Sequence, residues 1–376
     1  MQLKKVGLVD LFLFFTIFYH VFISSYWLTI HDSILESAIG FALPGILGIV
    51  SFFTIFKNKS SFKDLLIPGT ILIFVLLSVL IVNMNMLKFF IICLATVQMD
   101  KNRILKTYFY GIGTAVMGVF VLCLLKVLPM INDDAFVTYG FRSPNSIGFY
   151  LLLLYGIYLI LSQSKHWLVN LGLFILLAYV TFFEMEDHTA FLLLFMIYFL
   201  DILRPIGQWI IKWSIIKWLM AFVPLLFTGI TFWIGNNFFN YHWMIRLNKY
   251  FTSRPANWNY WMTNFDFSLF GMKIPTDVTF GHGALDGAFF TFPLFNGYLI
   301  YLAVLLVLSI GIFNITKNQE YVILVFVLTL LVFSISENGA FKNLYCPLIP
   351  LCLDAVVHFS KTYSFRKTEI SVLGSN

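Results

Sequence analysis

Charge is scarce in this chain. Only 11% of its 376 residues are Asp, Glu, Lys or Arg, whereas 60% are hydrophobic and 44 are phenylalanine. Soluble domains carry about 25% charged residues, so this composition, with a mean hydropathy of +0.88, argues against a soluble globular fold. The ten-residue apolar/polar alternation of a membrane β-barrel strand is missing too. Cysteine is limited to Cys93, Cys123, Cys346 and Cys352, in or beside apolar segments and without metal-ligand spacing, so they read as small core residues. No Gly-rich phosphate loop is present, and no connection on the expected cytoplasmic side is of domain size, so no nucleotide site is expected. Energy for any reaction must then arrive with the substrate. The first apolar segment is too long for a signal h-region and no small-x-small cleavage site follows it, so it reads as an anchor. Internal repeats are lacking, which weighs against the paired halves of a transporter.

What the chain does contain is a series of apolar runs, most of them long enough to cross ~30 Å of hydrocarbon as helices. Without water in the bilayer, a spanning segment must satisfy its own backbone groups, and stretches such as 71–82 and 300–313 are apolar all round, as helices would be. Twelve segments are predicted, at roughly 8–25, 34–56, 65–82, 85–99, 108–129, 147–162, 167–183, 189–202, 213–235, 291–313, 321–336 and 345–360. The fold class is an all-α, polytopic transmembrane helical bundle, with residues 1–376 forming a single membrane domain. With both termini cytoplasmic, the inner connections collect sixteen of the 24 basic residues, among them Lys57, Lys59, Lys101, Arg103, Lys165, Arg204 and Lys317. That asymmetry is the positive-inside signal. The net charge of +6 therefore reports topology, and no nucleic-acid partner is expected.

The outer connections are where function is expected. Residues 236–290, between segments nine and ten, form a large extracytoplasmic loop containing "RLNKYFTSRPANWNYW", in which two arginines and a lysine stand among aromatic rings. This stretch is too apolar for disorder and predicts one or two short helices at the membrane surface. Pro255 suggests that a helix closes at Arg254, with Arg246 on the same face ~12 Å earlier at helical rise. A second outer loop, 131–149, carries Arg142 ahead of a Ser143-Pro144-Asn145 turn and helix start. A third, 334–345, carries Glu337, Asn338, Lys342 and Asn343. Each has an ordinary alternative: Arg246 and Lys249 as snorkelling anchors, Arg142 and His282 as turn residues, Glu337 as a solvated loop residue.

Arginine offers a planar fork of five donors that matches diphosphate oxygens and never loses its charge. Arg142, Arg246 and Arg254 at the outer surface suit a lipid diphosphate whose tail lies in the membrane, with membrane lipid around it. Trp258, Tyr260 and Trp261 suit stacking against sugar faces. Departure of a diphosphate requires its growing negative charge to be stabilised, which arginines do as well as a metal. An acceptor hydroxyl needs a general base, for which His282, Asp286 and Glu337 are the candidates. A metal-dependent alternative would draw on Glu184, Glu186, Asp187 and His188, on Asp133 with Asp134, or on Asp32 with Glu36. None of these has a convincing ligand set, so no metal and no cofactor is expected.

The layout, together with "GFRSPNSIGFYLLL" (140–153), "RLNKYFTSRPANWNYW" (246–261) and "GHGALDGAFFTFPLFNGYLIYL" (281–302), resembles the bacterial O-antigen, capsule and exopolysaccharide polymerase (Wzy) family. That family is similar in architecture to O-antigen ligases. The resemblance covers most of the chain in topology and only these patches in sequence. It implies a metal-independent transferase of the second GT-C class. Such an enzyme joins undecaprenyl-diphosphate-linked repeat units on the outer face of the bacterial cell membrane, beside other polysaccharide-assembly proteins. By the same resemblance, Arg142 and Arg254 match diphosphate-binding arginines, Arg246 matches less closely, and His282 has no firm counterpart. A ligase-type or other lipid-sugar-dependent transferase, and a flippase of lipid-linked oligosaccharide, remain as alternatives.

Overall fold

The computed structural model describes residues 7–30, 34–58, 62–81, 83–163, 166–251, 253–272 and 285–358. About four-fifths of the described residues are helical and no strand forms among them. In chain order the helices are α1 (Leu8–Phe22), α2 (Trp27–Ile30), α3 (Ile34–Asn58), α4 (Phe62–Leu80), α5 (Met84–Thr96) and α6 (Lys101–Leu124). Then come α7 (Pro144–Ser162), α8 (Trp167–Tyr179), α9 (His188–Ile202), α10 (Arg204–Ile210) and α11 (Ser214–Asn237). The last are α12 (His242–Tyr250), α13 (Arg254–Asn264), α14 (Ala288–Asn296), α15 (Tyr298–Lys317), α16 (Tyr321–Ser336) and α17 (Leu348–His358).

Among the described residues, six helices are long and apolar enough to cross a membrane, and a seventh is so if the pair α9 and α10, bent by 77°, counts as one. Shorter apolar helices, including α1, α5, α16 and α17, pack among them. The burial pattern is that of a protein in lipid. Phe53, Leu66, Leu168 and Leu306 stay exposed, while Asn314, Thr316, Thr329 and Ser334 are buried. The hydroxyls of the last three donate to helical carbonyls four residues back. The chain is thus a multi-pass membrane protein. Lipid tails are as apolar as leucine, so helix association here rests on close packing and on such polar contacts rather than on removal from water.

Each of the twelve predicted apolar segments carries a helix, but the one expected over 291–313 is broken. It divides into α14 and α15 at Gly297, whose φ is +85° and whose Cβ, if present, would lie 2.2 Å from the Leu269 carbonyl oxygen. The first amides of a helix have no partner inside it. Here Tyr298 N–H donates to Ser268 O at 3.1 Å and Leu299 N–H to Leu269 O at 3.2 Å. The 268–272 segment therefore takes the place of the missing turn.

A second correction concerns Arg254. It opens α13 rather than closing the helix before it, because Pro255 lacks an N–H and fits the first turn, where none is required. The reversal comes at Ser253, which has φ +64°. Arg246 lies on the separate helix α12, so the two guanidiniums do not share a helix face.

Charged side chains gather at the two ends of the bundle. Lys101 pairs with Glu320 ahead of α16, near the Arg103–Asp10 pair at 2.6 Å. Glu337 lies at the other end of the sixteen-residue α16, about 24 Å of helical rise away. The second charged cluster is built around it.

Candidate functional site

The site forms where five separate parts of the chain meet. Glu337 caps the C-terminus of α16 in an extended conformation, and its carbonyl accepts the Ala288 N–H that opens α14, at 3.2 Å. This contact brings Asp286, just before α14, alongside. Close approach requires glycine at 287: φ is +96°, and a Cβ there would meet the Ile335 carbonyl at 2.8 Å and the Trp258 ring at 2.9 Å. From α13, the Arg254 side chain reaches into the gap. Its Nη2 lies 2.5 Å from Glu337 Oε1 and 3.4 Å from Asp286 Oδ2, and its Nη1 donates to Phe251 O at 3.3 Å. Arg254 is only 9% exposed, and its buried Nε has no hydrogen-bond partner among the described residues.

Amides fix the two acids from behind. Asn145, in the first turn of α7, donates to Glu337 Oε1 at 3.1 Å. Asn338 donates to Asp286 Oδ1 at 2.9 Å and is itself held by Thr291 Oγ1. Trp258 Nε1 donates to the Asp286 carbonyl at 2.7 Å. Asp187 approaches as the N-cap of α9. Its Oδ1 accepts from Ala190 N at 3.0 Å, while the buried Oδ2 has no hydrogen-bond partner among the described residues.

Three carboxylates thus face one guanidinium and the Lys342 ammonium, which unbalances their titration. Burial pushes the Glu337 carboxyl up to about 7; Arg254 opposes the rise, and Asp286 and Asp187 add to it. Asp187 rises to about 6, again through burial, with its backbone donors, His188 and Arg254 pulling the other way. Asp286 is also raised by burial, against the pull of Arg254 and Lys342. Lys342 is lowered by burial although its side chain keeps accessible surface. A buried cluster of coupled acids and bases at a helix junction is a functional-site signature.

No family model, curated protein or solved structure matches this chain.

Of the residues singled out in the sequence, Arg254, Asp286 and Glu337 come together. Arg142 does not join them. It is exposed, with its Nε donating to Ser25 O at 3.2 Å, and its neighbour Asn145 reaches the cluster instead. Arg246 is exposed on α12, away from the acids' hydrogen-bond partners. Trp258 and Trp261 are each 1% exposed, packed against Phe290 and Phe265, which leaves neither a ring face for a sugar. Tyr260, at 41%, is the exposed ring of the three. His282 lies outside the described residues. The acids weighed as a metal set diverge: Asp187 turns to Arg254, whereas Glu184 faces Tyr139. No group of three or more His, Cys, Asp or Glu is placed to hold a metal among the described residues.

The amides were the members of the site missed as such. Asn145 reads as part of a turn and Asn338 as a loop residue, and only the fold puts them behind the acids. Their one sequence signal was their place inside "GFRSPNS" and "SISEN".

Proposed function

We propose that this chain is a glycosyltransferase of the second GT-C class that polymerises undecaprenyl-diphosphate-linked oligosaccharide repeat units into a surface polysaccharide. It works at the outer face of the bacterial cell membrane, with twelve spans and both termini in the cytoplasm. The supporting observation is the junction of Arg254, Asp286, Glu337 and Asn145. These residues come from the three stretches that carry the resemblance and from the loop after α16, and they converge on one buried, charged point.

In this reading Arg254 binds the diphosphate of the donor and stabilises the charge that grows on it as it leaves. Arg142, exposed near Asn145, and Arg246, on α12, guide the anion inward, and Tyr260 offers a face to the glycan. The acceptor hydroxyl gives its proton to a carboxylate of the cluster, Asp286 or Glu337. The hydroxyl oxygen bonds to the anomeric carbon of the donor, and the bond from that carbon to the diphosphate oxygen breaks. The electron pair leaves with the lipid diphosphate. Carboxyls raised toward neutral pH suit this transfer, since a base works best with a pKa near the working pH.

An O-antigen-ligase-like transferase would use the same chemistry on a different acceptor. A flippase of lipid-linked oligosaccharide would move the donor without breaking it. Deleting the gene and analysing the surface glycan separates the three. Single repeat units at the surface support a polymerase. Long polymer left on its lipid carrier supports a ligase, and undelivered lipid-linked units support a flippase.

A further inference from the structure

The guanidinium expected to hold the donor's diphosphate is already occupied by carboxylates of this chain. Both hydrogens of Arg254 Nη2 are directed at acids, one of Nη1 is directed at a carbonyl, and the side chain is buried. The remaining Nε is buried, so a diphosphate reaches this guanidinium only by displacing one of the acids. Like charges this close repel strongly in a buried site, and a diphosphate brings more than one.

We propose that Glu337 is a stand-in anion: it occupies Arg254 in the resting protein and is displaced, taking up a proton, when the diphosphate of the donor binds. This inference rests on the proposed function, which assigns that diphosphate to Arg254.

The two acids on Arg254 are not equivalent. Asp286 is held by the Asn338 amide at 2.9 Å and meets Arg254 only at 3.4 Å, whereas Glu337 meets it at 2.5 Å. It keeps its charge and place when Arg254 turns to the donor, which leaves it as the base. Glu337 faces Asp286, the N-cap Asp187 with His188 beside it, and Lys342, and Arg254 is its closest cation. Losing Arg254 to an anion removes the largest force opposing its protonation. Asn145, donating to Oε1 from α7, tethers the side chain through the exchange. The consequence is a buried arginine that is neutralised internally until a donor arrives.

The test is calorimetric titration of the purified full-length protein in detergent with farnesyl diphosphate, a short polyprenyl diphosphate, at pH 6, 7 and 8. Competition from an ionised Glu337 with a pKa of about 7 makes wild-type binding about tenfold weaker at pH 8 than that of Glu337→Gln, and equal to it at pH 6. Comparison with the variant removes the probe's own ionisation. Repeating the wild-type titration in two buffers of different ionisation heat should reveal uptake of about one proton per diphosphate near pH 8, a readout that needs no variant to fold. Wild-type binding without proton uptake, or Glu337→Gln with wild-type affinity at pH 8 while Arg254→Ala loses binding, overturns the exchange and leaves the diphosphate reading standing. Equal binding by wild type and Arg254→Ala overturns both.

Discussion

Arg254 shows how much a single residue's setting adds to its identity. The sequence marks it as an anion-binding side chain, since an arginine beside a membrane is expensive and the fork suits phosphate. Which acids face it is decided by contacts across 32 and 83 positions, to Asp286 and Glu337. Those partners were legible as candidates because an outer loop poor in charge leaves few acids to choose from. The Asn145–Glu337 contact spans 192 positions, and nothing in either local pattern announces it.

The residue-scale prediction concerns pH. Glu337 titrates at about 7 in the folded protein, against an ordinary value of 4.5. Between those two values the folded state holds more protons than the unfolded one, so this stabilising contribution is present in full below the ordinary value. It is lost as pH rises through about 7. Asp187, raised to about 6, acts in the same direction. Melting in detergent should therefore shift to lower temperature between pH 5 and pH 8, and Glu337→Gln should flatten that slope. An unchanged slope in the variant would mean that Glu337 is not the buried, raised carboxyl described.

At the scale of elements, periodicity identified where helices lie and missed where they break. Residues 291–313 form one apolar reading, because the Asn296-Gly297 pair carries no charge and is outweighed by the apolar residues on either side. The break comes from the backbone: Gly297 adopts a positive φ against Leu269 O, a contact with a loop remote in sequence. Arg254 is the opposite case: the following Pro255 suggests a helix end, although proline is equally at home at a first turn.

Gly297→Ala should cost roughly 2 kcal/mol or more, from a strained φ and a Cβ driven into backbone. Because α14 carries the Ala288–Glu337 contact, it should also disturb the site. Gly172, with nothing within 4 Å of its would-be Cβ, is the control, and alanine there should leave melting unchanged or slightly raised. Equal melting of the two variants would contradict the junction as described.

For the whole molecule, composition alone established an all-helical membrane protein, since too little charge is present to cover a soluble surface. The number of crossings is a finer matter. Among the described residues six helices reach full spanning length, and the expected twelve relies on shorter ones such as α5, α16 and α17 as well. The lysine asymmetry makes a direct prediction: single cysteines at Asn102 and Lys317 should label from the cytoplasm, and one at Asp134 from outside. Glu337 and Glu320 cap opposite ends of α16, so Lys342 should share the side of Asp134. Labelling of Asn102 and Lys342 from the same side would remove α16 as a crossing.

The central claim is that Arg254 stabilises a departing lipid diphosphate. The most direct measurement is polymer length and yield from the purified protein, reconstituted with lipid-diphosphate-linked repeat units, for wild type and for Arg254→Lys and Arg254→Ala inserted at equal amounts. Lysine keeps the charge and loses the fork. Both variants should lose about 2–4 kcal/mol of transition-state stabilisation, or roughly 30- to 1000-fold in rate, leaving mainly single units where wild type makes a ladder. Wild-type ladders from both would contradict the account.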